Sequence, residues 1–202
     1  MCSRMTWQAV RLAGLALALV GTGAAACAPA ASFRPASALR PGQTDEVGLG
    51  LAVVGPRPYV DEPSATVGQA WATHAFGPQV RLSLVSVFDA DALGAGFVVA
   101  LLPVQTPRVA AGVEFELGFA WAGVALPVAV RTVGPAWVYA SPRLGSWGDR
   151  VTPAVPFGLD VHVLDAVSAR AECQVSWAAF EPNNRRVHYG VALAYQFGES
   201  SK

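Results

Sequence analysis

The chain has 202 residues, a formal net charge of zero, 53% hydrophobic residues and only 14% charged ones. A soluble surface, which needs roughly 25–35% charged residues, is hard to assemble from that composition. With Lys202 as the sole lysine there is no electrostatic footprint for nucleic acid. The cysteines are Cys2, Cys27 and Cys173, and no Cys/His ligand spacing links them. No metal, cofactor or disulfide framework is therefore expected.

Met1 to Ala26 carries Arg4 and Arg11, an apolar core from Leu12 to Val20 and small residues up to Ala26. This is the pattern of a secretory signal, too short to be kept as a membrane span. Gly23-Ala24-Ala25-Ala26-Cys27 resembles a bacterial lipobox, with Ala24 where leucine is usual. The resemblance implies acylation of Cys27; cleavage at an Ala-x-Ala site is the alternative. Ala28 is not the aspartate that holds such lipoproteins at the inner membrane, so the implied address is the outer membrane of a Gram-negative bacterium. The expected organisation is signal peptide 1–26, lipid-anchored flexible tether 27–45, barrel 46–197 and tail 198–202.

From Glu46 onward the apolar residues recur with a period of two. Ten strands are predicted: 46–54, 66–74, 79–88, 93–102, 110–121, 124–132, 136–144, 157–163, 167–177 and 186–197. The clearest alternate bulky apolar residues with small or charged ones, as in Val113, Phe115, Leu117 and Phe119 against Glu114, Glu116 and Gly118. The segment 66–74 alternates least, and without it the count falls to eight. Connections after even strands are mostly tight, with 103–109 the exception. Those at 55–64, 145–156 and 181–185 are long, the rim asymmetry of an outer-membrane barrel. A three-residue loop at 164–166 would set Asp160 opposite Arg170 and keep polar residues facing polar ones.

A strand with one apolar face fits a membrane barrel with its polar side inward or a soluble barrel with its apolar side inward. The polar faces here are lined by Gly48, Gly50, Gly94, Gly96, Gly118, Gly158, Gly190, Ala192 and Ala194. Such small residues suit a crowded lumen better than a wetted surface. Trp121, Trp177 and Phe180 at one end, with Trp137, Tyr139, Tyr195 and Phe197 at the other, are expected to form interfacial girdles. The fold expected is all-β, an up-and-down antiparallel, membrane-embedded barrel.

Two segments carry a family likeness: Leu159-Asp160 through Ser168-Ala169-Arg170-Ala171-Glu172, and Tyr189-Gly190-Val191-Ala192-Leu193-Ala194-Tyr195-Gln196-Phe197. Over 46–197 the chain resembles small bacterial outer-membrane barrels of the outer-membrane-protein-A-like and opacity types. The aromatic-ended last strand resembles the signal read by the barrel-assembly machinery, although Gly198 to Lys202 follow it. The resemblance implies outer-membrane lipids as surroundings and the assembly machinery as a partner during insertion. An extracellular loop partner is open.

The polar face collects Arg81, Glu114, Glu116, Arg131, Asp160, His162, Arg170, Glu172, Arg186 and His188. In a narrow barrel such groups are expected to pair and fill the interior. The corresponding function is a structural or interaction role, without enzymatic activity. The alternatives are a narrow pore for small solutes and a soluble lipocalin-like periplasmic lipoprotein holding an apolar ligand. A lipid-modifying site built from His162, Ser168, Ser176, His188 and Glu172 would face the lumen, away from acyl chains. Cys173 falls on the apolar face and His74 near a rim.

Overall fold

The computed structural model describes residues 33–34, 43–56, 64–88, 93–119, 121–147, 150–177 and 185–198. The signal segment, Cys27 and the tail from Glu199 lie outside the described residues.

The strands are β1 (Asp45–Val54), β2 (Ala65–Ala75), β3 (Val80–Phe88), β4 (Leu93–Gln105), β5 (Val109–Gly118) and β6 (Trp121–Ala125). They continue as β7 (Val128–Arg131), β8 (Ala136–Ala140), β9 (Arg143–Trp147), β10 (Arg150–His162), β11 (Val167–Trp177) and β12 (Arg185–Phe197). All pairings are antiparallel, and successive strands pair except β6 with β7 and β8 with β9. The ring closes where β1 meets β12, from Asp45 opposite Phe197 to Val54 opposite His188.

Twelve segments make ten staves. β6 and β7 both pair with β5 in one register, Glu114 opposite Ala125 and Ala111 opposite Val128. Pro127 separates them because it has no N–H to give to the ladder. Its carbonyl still accepts from the Gly112 N–H at 3.0 Å. Pro142 divides β8 from β9 in the same way, and its carbonyl accepts from Leu126 N–H at 2.9 Å. The result is a closed ten-stranded barrel.

The predicted hairpin register is observed: Asp160 stands opposite Arg170 and His162 opposite Ser168. The segment that alternates least is a full strand, β2, paired on both sides. Its lumen side carries Val67, Gln69, Trp71 and Thr73, while the other face has Ala70, Ala72 and a Gly68 covered by the Phe88 ring. The usual contrast of large outside and small inside is inverted there, which is why the pattern is weak.

Three expectations are corrected. The stretch 145–156 is not a long loop, because β9 and β10 pair from Trp147 opposite Arg150 to Arg143 opposite Ala154. Pro153 and Pro156 read as loop signals, yet both sit in β10. The 103–109 connection is a tight turn at 106–108, in which the Thr106 hydroxyl accepts from Val109 N–H at 2.8 Å. All four hairpin turns on this rim are thus short, and Gly134 supplies the left-handed φ of 68° that the 132–135 turn requires. Finally, the strand expected at 110–121 ends at Gly118, and Trp121 opens the next strand with its ring inside.

The side chains sort by side. Leu49, Leu117 and Val191 are at least half exposed, as are Phe119, Tyr189 and Leu193. A continuous apolar exterior of this kind is incompatible with a water-facing surface. Strands of nine to thirteen residues in β1 to β4 match a tilted transmembrane strand of about 9–11 residues. The soluble, lipocalin-like alternative requires the opposite orientation and is ruled out by it.

Candidate functional site

The lumen is the site, and its construction begins with strand parity. Glu46, Gly48, Gly50 and Ala52 share the inner face of β1, and Ser168, Arg170, Glu172, Gln174 and Ser176 share that of β11. Because the strands pair in register around the ring, polar groups from several staves meet in the interior.

Arg170 is the centre of this network. Its Nη1 donates to Glu46 Oε1 at 2.8 Å and its Nη2 donates to Glu46 Oε2. Nε lies 3.4 Å from Asp160 Oδ1, and the guanidinium sits 5.6 Å from the centre of the Trp71 ring. Glu46 also accepts from Trp71 Nε1 and Gln196 Nε2, both at 2.9 Å. A bidentate carboxylate–guanidinium pair with further donors is the arrangement that offsets the cost of burying both charges.

A second group lies around Glu116, whose Oε1 is 3.2 Å from Arg34 Nη2 and 3.6 Å from Arg143 Nη1. Arg81 is buried within electrostatic reach of Glu46 and Glu114. Glu172 Oε2 accepts from the Tyr139 hydroxyl at 2.9 Å. The buried acids Glu46, Glu114, Glu116, Asp160 and Glu172 are thereby matched by Arg34, Arg81, Arg143 and Arg170. The interior is close to neutral rather than biased toward one ion sign.

The glycines on the inner face have a specific use. Gly48 stands opposite Trp71, and Gly158 opposite Tyr139. A Cβ at Gly48 would overlap the Trp71 ring, and one at Gly118 the Trp121 ring; at Gly158 it would come 2.7 Å from the Tyr139 ring. Trp71, Trp121 and Tyr139 each lie where glycine leaves room, and Trp137 is buried on the same face of β8 as Tyr139. Trp121, Trp137 and Tyr139 are therefore lumen residues, which corrects their placement in girdles. Tyr195 and Phe197 do lie outside, stacked at 5.8 Å.

Of the residues picked from the sequence, Arg81, Glu114, Glu116, Asp160, Arg170, Glu172 and His188 are buried inside. The His162 side chain is buried 4.0 Å from Asp160, and Arg186 is half-buried opposite Ser176. Arg131 lies elsewhere: it is exposed at the short-turn rim, where its Nε donates to Gly134 O at 3.0 Å. Sequence reasoning missed Glu46, Arg143 and Tyr139. Glu46 shares parity with Gly48 and Gly50, and Tyr139 pairs opposite Gly158, so both were within reach of a face-by-face reading.

It also missed Phe33 and Arg34, which fall within the stretch expected as tether. Phe33 is fully buried in the lumen. Its N–H donates to Glu172 Oε2 at 3.0 Å and its carbonyl accepts from Arg170 Nη1 at 2.7 Å. Its φ of 46° lies in the left-handed region, at a cost of about 1–3 kcal/mol that surrounding contacts must offset.

No family model matches the chain, and no curated protein does. Among solved structures, it is similar to the NanC porin (11% identity, 76% of this chain and 100% of that one, TM-score 0.48). It is also similar to the outer membrane protease OmpT from Escherichia coli (9%, 82% and 100%, TM-score 0.48). A third likeness is to a de novo designed transmembrane β-barrel (13%, 79% and 99%, TM-score 0.43). These likenesses are far too distant for any residue's role to carry over.

The chain's own surface is more telling. An apolar exterior around a polar, filled interior is the construction of an outer-membrane β-barrel, and the outer membrane is its place. Within that barrel, Ser176 Oγ and His188 Nε2 lie 2.9 Å apart, while His188 Nδ1 has no hydrogen-bond partner among the described residues. Among the described residues, no carboxylate meets that nitrogen as one does in a hydrolytic triad.

Proposed function

We propose that this protein is a closed, non-enzymatic outer-membrane barrel serving envelope structure or interaction through its rim connections. The observation that carries this reading is the filled lumen. Trp71 from β2, Trp121 from β6 and Trp137 with Tyr139 from β8 project inward, and the Glu46–Arg170–Asp160 and Arg34–Glu116–Arg143 groups lie in the interior with them. A solute path would have to displace paired, desolvated charges.

The rim where β1 and β11 end and β2 and β12 begin, opposite the short turns, is where a partner would be met. Acylation of Cys27 and insertion by the barrel-assembly machinery belong to the same proposal. Both are supported by the lipobox-like segment and by the final strand, whose Tyr189, Val191, Leu193, Tyr195 and Phe197 all face outward. The test is planar-bilayer conductance of the full-length protein. A closed barrel gives no conductance steps; stable steps from the wild-type protein would replace this reading with a pore.

A further inference from the structure

Phe33 and Arg34 precede the first strand by more than ten residues, yet they sit inside the barrel. The surroundings of Phe33 have the properties of a recognition site. Its ring occupies the space of two missing side chains: a Cβ at Gly50 would come 2.7 Å from it, and a Cβ at Gly190 would also overlap it. Gly50 and Gly190 lie on neighbouring strands β1 and β12. On another side the ring stacks on Trp71, with centroids 6.2 Å apart and planes 20° from parallel.

The backbone is held as well as the ring. Glu172 accepts its N–H and Arg170 donates to its carbonyl, so one residue's two main-chain groups are each met by a buried, charged side chain. Glu116 then takes the guanidinium of Arg34 at 3.2 Å. Ring, main-chain donor, main-chain acceptor and cation are all satisfied by groups from β1, β2, β5, β11 and β12. In a ten-stranded barrel, wider than the eight strands whose own side chains just fill the interior, there is room for such a guest.

We infer that the lumen contains a binding site for an aromatic–cationic dipeptide, occupied by Phe33–Arg34 of the chain itself, and that this occupancy seals the barrel. Phe33–Arg34 is thus an internal plug held in cis, where belonging to the same chain raises its effective concentration to about the millimolar range. This rests on the closed-barrel reading above.

The test is conductance of the full-length protein in planar bilayers, with a mobility shift on boiling to show that each variant is folded. One variant is Phe33→Gly with Arg34→Ala, which empties the site. The other is Gly190→Ala, which evicts the ring without touching the segment. The wild type is expected to be silent, and both folded variants are expected to show discrete current steps. N-acetyl-Phe-Arg-amide at millimolar concentration is expected to suppress the steps of the first variant.

Silence of both folded variants beside a silent wild type would overturn the plug and leave the closed barrel standing. Steps from the wild type equal to those of the variants would overturn both readings. A variant current indifferent to the peptide would overturn the claim that the site recognises this dipeptide.

Discussion

Arg170 and Glu46 meet inside the lumen through two hydrogen bonds, from residues 124 positions apart in the chain. β12 stands between their strands, so the pair ties β11 to β1 across the seam where the barrel closes. Arg170→Met leaves the carboxylates of Glu46 and Asp160 buried without their main partner. It is expected to destabilise the barrel by about 3–5 kcal/mol in urea titration of the protein reconstituted in lipid. Combining it with Glu46→Leu should recover part of that loss, because the double variant removes one of the two orphaned charges. A loss in the double variant equal to the sum of the two single losses would show that the pair is not coupled.

The glycine–aromatic pairs make a second prediction. Gly158→Val sets a branched side chain against the Ala171 carbonyl oxygen, which an added Cβ would overlap, and the Tyr139 ring at 2.7 Å, and it is expected to prevent the folded, fast-migrating form on unboiled gels. Gly145→Ala meets nothing closer than 3.6 Å and should fold as the wild type does. Similar behaviour of the two would mean that neither the Ala171 carbonyl nor the Tyr139 ring lies against Gly158.

Leu49 and Leu193 are paired and both face outward near the middle of their strands. Arginine at position 49 is expected to cost about 2–4 kcal/mol in lipid, whereas Phe76→Arg at the short-turn rim should cost roughly 0–1 kcal/mol. A gradient in the opposite sense would place the bilayer elsewhere on the molecule.

Tyr139→Phe removes the hydroxyl that donates to Glu172. The buried acceptor keeps the Phe33 N–H, so the expected loss is about 1–3 kcal/mol in the same lipid unfolding assay, without loss of the fold. No measurable change would show that the hydroxyl is not bound there.

The barrel was legible because its strongest strands alternate large apolar and small or charged residues, and the 164–166 hairpin allowed one register that kept polar groups together. Asp160 opposite Arg170 follows from that pattern alone. Where the interior holds aromatics the pattern inverts. In β8, Trp137 and Tyr139 face in while Val138 faces out, and in β2 Trp71 faces in between outward alanines. An aromatic near a strand end reads as a girdle until its neighbour is considered: Tyr139 pairs with Gly158 and Trp137 with Asp160. Prolines were misleading for a related reason, since those of β10 lie within a paired strand. Phe33 and Arg34 carried no signal of their own, because the groups that hold them come from five different strands.

The central claim is that the strands themselves cross the membrane, apolar side outward. It is tested most directly by fractionating cells that express the full-length Cys27→Ala variant, with carbonate extraction and unboiled and boiled gels. The account predicts that this variant, which cannot be acylated at Cys27, stays in the outer-membrane fraction, resists carbonate and shifts mobility on boiling. Release of the folded variant into the soluble fraction would contradict it, because a barrel with this exterior cannot remain folded in water.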